Sequence, residues 1–132
     1  MSTLPIAQAL HRVGDWSGPA DQCELDYTER FLRRKKLTSV NGKAFLVDLA
    51  RTTSLDHGDA LILNDGTLMK IAAAPEALYK VTGPDLVRLA WHIGNRHTPC
   101  QIEAGRLLIQ RDKVIGHMLE HLGATVKEVF EP

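Results

Sequence analysis

His92 and His97 stand five residues apart in HIGNRHTPCQ, residues 92–101, around Gly94, Asn95 and Arg96, with Pro99 and Cys100 close behind. A neutral imidazole nitrogen coordinates divalent metals, and a thiolate suits the same borderline ions. The stretch therefore reads either as a metal site or as a polar helix end. Five residues advance a regular helix by about 500°, leaving the two imidazoles about 140° apart, so they face one ion only if the helix breaks between them. Trp91 and Ile93 flank His92 and favour a packed, singly hydrogen-bonded imidazole there over a ligand. His97 follows Gly94-Asn95 and precedes Thr98-Pro99, which places it at the helix end and within reach of solvent. Cys100 follows Pro99 at an expected strand start, where a small buried thiol is the more ordinary role than a soft ligand.

Two other constellations compete. His117 and His121 in HMLEH have the i, i+4 spacing that sets two imidazoles over one helical turn. Glu120, however, precedes the second histidine instead of following the first, so the catalytic zinc-helix pattern is incomplete and both histidines are read as exposed. Asp56, His57 and Asp59 could hold a cation, but turn chemistry explains that cluster without one. No nucleophile elbow, phosphate loop or zinc-finger spacing is present, and an enzyme is not expected.

Composition narrows the field further. The 132 residues are 44% hydrophobic and 24% charged, as in folded proteins generally. Sixteen basic residues balance sixteen acidic ones, so no overall field draws the chain to nucleic acid or to an anionic membrane. The basic run Arg33-Arg34-Lys35-Lys36 lies downstream of Asp21, Glu24, Asp26 and Glu29 and reads as a solvated strand or loop face. Cys23 and Cys100 are too few for a disulfide framework and are expected to be reduced. The opening MSTLPIAQALHRVGDW lacks a signal peptide's charged start and long apolar middle, and no segment approaches the roughly 20 apolar residues of a membrane span. A cytoplasmic location is the resulting expectation.

The elements that must position these residues fall into two domains, with a boundary near Ala72–Pro75. Residues 1–73 read as an all-β domain: the apolar runs KAFLVDLA and DALILND are separated by turn signals at Asn41-Gly42, His57-Gly58-Asp59 and Asp65-Gly66, which predicts a strand, turn, strand, turn, strand meander. Residues 74–132 read as an α+β domain. Leu86, Leu89, Ala90 and Ile93 make a helical face behind Pro84-Asp85, and the helix should stop near Gly94-Asn95. Strands are expected over 100–103 and 106–110. A second helix follows from Asp112, with a stripe of Val114, Ile115, Met118, Leu119 and Leu122 and a left-handed stop at Gly123. Thr125 to Phe130 closes the chain as a strand. With residues 71–81 as the opening strand, the order is βαββαβ, the ferredoxin-like arrangement of two helices on one face of an antiparallel sheet.

WHIGNRHTPCQI resembles the HLGNRHxPxQI signature of the urease accessory protein UreE family, nickel metallochaperones. The resemblance covers roughly residues 24–132: Leu55-Asp56-His57-Gly58-Asp59 and Asp65-Gly66 are similar to the family's LxxGDxL and DG turns, Asp112 with Met118-Leu119 and Leu122-Gly123 to its DxVLxxMLxxLG helix, and Phe130-Glu131-Pro132 to its FEP ending. It implies an N-terminal partner-binding β domain and a ferredoxin-like metal-binding domain that forms a homodimer. The family's principal ligand falls on His97, and the signature's first histidine on His92, a neighbour that serves as an auxiliary ligand or lies behind the ligand. The family's frequent histidine-rich tail has no counterpart in a sequence ending at Pro132, and Gln110, Arg111 and Lys113 stand where some members carry peripheral metal-binding histidines.

The function so implied is binding of Ni(II) at a histidine site shared across a dimer and its delivery during urease metallocentre assembly. Partners would be the urease apoprotein and its accessory proteins, including the maturation GTPase, with Zn(II) or Cu(II) able to occupy the site in vitro. A protein-binding folding adaptor, in which metal only stabilises the dimer, is the alternative. The expected dimer contact lies in residues 84–100, near Leu89, Trp91 and Ile93.

Overall fold

The computed structural model describes residues 4–132, which divide into two compact units, the first ending at Ala74 and the second being Pro75–Pro132. In the first, six strands, β1 (Ile6–His11), β2 (Asp21–Leu25), β3 (Phe31–Thr38), β4 (Ala44–Ser54), β5 (Ala60–Leu63) and β6 (Leu68–Ala73), form one sheet in the order β2-β6-β5-β1-β4-β3. The turn signals hold: Gly42, Gly58 and Gly66 all have φ near +90°, the region glycine enters without a Cβ clash. The continuous meander does not. β5 and β6 form the expected hairpin, but β1 lies between β5 and β4, antiparallel to the first and parallel to the second at Ile6↔Leu46 and Ala7↔Val47. Phe45 and Val47 of β4, with Ala7, Leu61, Met69 and Ile71, are buried in a single core.

Asp59 organises the other end of this unit. Its carboxylate is 0% exposed and accepts the Val13 and Asp56 N–H groups, each at 2.8 Å, and Arg12 Nη1 at 2.8 Å. A buried carboxylate is tolerated only when so satisfied. Gly58 completes the joint: its carbonyl accepts Trp16 Nε1 at 2.9 Å, and a Cβ there would lie 2.7 Å from Val13 Cγ2. His57 Nδ1 accepts the Ala73 N–H at 3.0 Å. The Asp56-His57-Asp59 cluster is thus spent on fastening chain to chain.

The second unit contains β7 (Glu76–Thr82), α1 (Leu86–Asn95), β8 (Cys100–Ile102), β9 (Leu107–Gln110), α2 (Lys113–His121) and β10 (Thr125–Glu131). Its sheet runs β10-β7-β9-β8, antiparallel throughout. The opening strand is shorter than residues 71–81: Ile71 to Ala73 belong to β6, and Pro75, which has no N–H for a ladder, separates them from β7. Leu89 and Ile93 of α1 and Ile115 and Leu119 of α2 share one cluster with Val81, Leu107 and Ile109. Val81 pairs with Leu107 and Tyr79 with Ile109, so strand alternation puts these residues on one face, and both helices cover it. Val114, expected in the stripe, is instead 74% exposed. Gly116 takes the inward place, where a Cβ would come within 3.3 Å of the Tyr79 ring.

Candidate metal site

α1 begins at Asp85, whose carboxylate accepts the Arg88 N–H at 3.1 Å and satisfies one orphan donor of the first turn. Leu89 and Ile93 turn into the core, which removes them from the expected dimer contact, while Val87 and Trp91, one turn apart, are 83% and 63% exposed. The helix ends in a specific way. The His97 N–H donates to the Gly94 carbonyl at 2.9 Å and the Thr98 N–H to the Ile93 carbonyl at 3.4 Å, the paired bonds of a Schellman ending. That ending demands a left-handed residue, and His97 supplies it at φ 57°, the only non-glycine with positive φ among the described residues.

α2 ends by the same bonds. The Gly123 N–H donates to the Glu120 carbonyl and the Ala124 N–H to the Leu119 carbonyl, both at 3.0 Å, with Gly123 at φ 90°. Glycine occupies this position at little cost, whereas a side chain there costs about 1 kcal/mol. Arg96, the residue before His97, donates from Nε to Met118 Sδ at 2.6 Å and so ties the end of α1 to α2. The arginine of GNRH and the methionine of the second-helix motif therefore form one contact.

The helix break lifts His97 off the regular spiral and leaves it exposed. His92 stays on the last turn of α1, half-buried, with its ring edge-on to Trp91 at 5.0 Å and 86°. No hydrogen bond reaches its imidazole among the described residues, in place of the single one expected, and the Trp91 ring is its contact. Cys100 is half-buried at the start of β8, and burial raises its thiol pKa. His117 and His121 are both exposed, as expected from their place beside the α2 stripe.

Among the described residues, no three histidine, cysteine, aspartate or glutamate side chains gather as one metal-holding group. Within a chain, His97 is an accessible imidazole on a backbone fixed by two hydrogen bonds, a rigid single donor with room on its open side for others. Sequence reasoning located the helix end but not its left-handed geometry; the usable signal was the parallel between Leu122-Gly123 and Arg96-His97, each at the end of an apolar helix.

Comparison with known proteins bears on both units. Residues 3–74 match the family model described as the UreE urease accessory protein N-terminal domain, and residues 68–132 match its C-terminal domain. The urease accessory protein UreE of Ruegeria pomeroyi is 63% identical over 129 residues, covering 98% of this chain and 87% of that protein. Its counterpart in Cereibacter sphaeroides is 56% identical, covering 100% of this chain and 72% of that protein, and that of Rhodobacter capsulatus is 52% identical, covering 100% and 84%. Two domain matches that together span the chain, and relatives aligned along its length, leave one conclusion: the chain belongs to the UreE family of urease accessory proteins, which serve urease maturation and are not themselves enzymes.

Proposed function

We propose that this chain is a nickel metallochaperone that binds Ni(II) through His97, shares the ion across the two-fold axis of a homodimer, and delivers it during assembly of the urease metallocentre. The observation that carries the reading is the left-handed His97 where α2 has Gly123. A non-glycine residue in the left-handed region at an exposed helix end carries a conformational cost, which marks its side chain as a candidate for function.

One imidazole holds a divalent ion weakly, and a two-fold axis beside it doubles the donors without any change in sequence. Val87 and Trp91 offer the apolar surface for such a contact on the same helix. With the exposed His97 imidazole as the protein donor and water completing the shell, the set suits nickel, although zinc and copper bind imidazole as well. An incompletely filled shell also favours handover, because a recipient can enter before the carrier's ligands leave. The second unit is read as ferredoxin-like from its strand order and is assigned metal binding and dimerisation; the first unit is assigned partner binding. The recipients are the urease apoprotein and its accessory proteins, including the maturation GTPase, in the cytoplasm.

Transfer is the test. Nickel-loaded dimer mixed with apo-urease and its maturation proteins should restore urease activity in the presence of a competing chelator, and His97→Ala should not. Equal activation by both would favour the adaptor reading.

A further inference from the structure

β3 is the terminal strand of the first sheet, and its ladder partner is β4 alone. Leu32 and Leu37 anchor it in the core, and between them Arg33, Arg34, Lys35 and Lys36 are all exposed. A register shift between Leu32 and Arg34 changes the phase of the strand, which is how two residues five apart both point inward. None of the four cations enters an ion pair among the described residues; Asp48, across the ladder from Arg34, is the acidic residue in direct register with the row. The outer edge is contacted at and beyond its end, where Cys23 Sγ donates to the Thr38 carbonyl at 3.7 Å and the Val40 N–H donates to the Gln22 carbonyl at 2.8 Å.

We propose that the outer edge of β3 between Leu32 and Leu37 docks an extended acidic segment of a partner protein, which adds to the sheet through main-chain hydrogen bonds and sets its carboxylates against Arg33, Arg34, Lys35 and Lys36. Charge on an edge strand prevents pairing with a second copy of itself, because like charges placed opposite one another repel. The same row attracts a strand of opposite sign. A nucleic-acid backbone fits less well: phosphates accept from the edge N–H groups but leave its carbonyls without donors, whereas a peptide supplies both. The balanced charge of the whole chain likewise gives no general field for nucleic acid. Phe31, 65% exposed at the start of the strand, adds an apolar contact at one end. This site lies in the first unit and stands or falls independently of His97.

The test uses the full chain and four probes: an acetylated octapeptide alternating threonine and glutamate, its lysine counterpart, the acidic peptide with alternate backbone nitrogens methylated, and a single-stranded oligothymidylate. The acidic peptide should bind in a salt-sensitive manner and shift the amide resonances of residues 33–37. Replacing all four cations with glutamate should weaken it about 30-fold, the combined effect of two cross-strand charge pairs on the face where the peptide's glutamates lie, each turned from attraction to repulsion, and leave nickel binding unchanged. If that variant fails to fold, Arg33→Gln with Lys35→Gln should give a smaller loss in the same direction. Backbone methylation should also reduce binding. No binding of the acidic peptide, equal binding of the lysine or methylated peptide, tighter binding of the oligonucleotide, or indifference to loss of the cations would each overturn the proposal.

Discussion

His97 and Gly123 occupy equivalent positions at the ends of α1 and α2, each left-handed and each donating its N–H to the carbonyl three residues earlier. One fold unit thus contains its own control. Gly123→Ala should cost about 1 kcal/mol, because it places a Cβ where the backbone disfavours one. His97→Gly should have the opposite sign, a gain of up to about 1 kcal/mol, reduced by the greater freedom glycine gives the unfolded chain. Urea denaturation of both variants checks this; a His97→Gly protein markedly less stable than the parent would show that the histidine is held there by packing.

Asp59 is expected to be the most sensitive polar residue of the first unit. Asp59→Ala strands the Val13 and Asp56 N–H groups and removes the partner of Arg12, which keeps the Ser54 carbonyl and solvent, and should lower stability by about 3 kcal/mol. Nickel affinity measured below the unfolding transition should not change. A loss under about 1 kcal/mol would mean that the Arg12–Asp59 joint is redundant.

Acid should weaken the first unit over a defined range. The Lys43 ammonium, 2.6 Å from Asp65, and the Thr67 N–H hold the Asp65 carboxyl down to about 2. Because this is below the ordinary aspartate value of about 3.9, the contribution is present above that value and is lost as pH falls toward about 2. Lys43→Met should lower the urea midpoint at pH 5 and flatten its decline at lower pH, an effect that high salt diminishes because the pair is exposed.

Val87 and Trp91 should form the centre of the self-contact. Val87→Lys with Trp91→Glu places charge on the exposed face of α1 without touching Leu89 or Ile93, and should yield a folded monomer with weakened nickel binding. Light scattering at micromolar concentration checks the mass, and an unchanged dimer would place the contact elsewhere.

Local chemistry made much of this legible from sequence. The helix starts near Asp85 and Asp112, Gly42, Gly58 and Gly66 as turn formers, and the strand pair around Ala104-Gly105 follow from side-chain size and hydrogen bonding within a few residues. Pairing between distant strands did not follow. β1 lies between β4 and β5 because Ile6 and Ala7 fit beside Leu46 and Val47, a choice made by tertiary packing that no local signal encodes. Leu89 and Ile93 were expected near a dimer contact since apolar character alone does not separate a core residue from an interface residue; the helix's orientation on the sheet does. At the site, accessibility of His97 was readable from the glycine and proline around it, whereas its left-handed φ required the hydrogen bonds of the helix end.

Nickel calorimetry on the wild type, on His97→Ala and on the double variant His117→Ala/His121→Ala, with molecular mass measured alongside, tests the central claim most directly. Near neutral pH the wild type should bind tightly close to one ion per two chains. The double variant should behave as the wild type, and His97→Ala should lose the tight site while its melting curve stays that of a folded protein. A tight site unaltered in His97→Ala, or a stoichiometry of two ions per dimer in the wild type, would contradict a nickel site shared through His97.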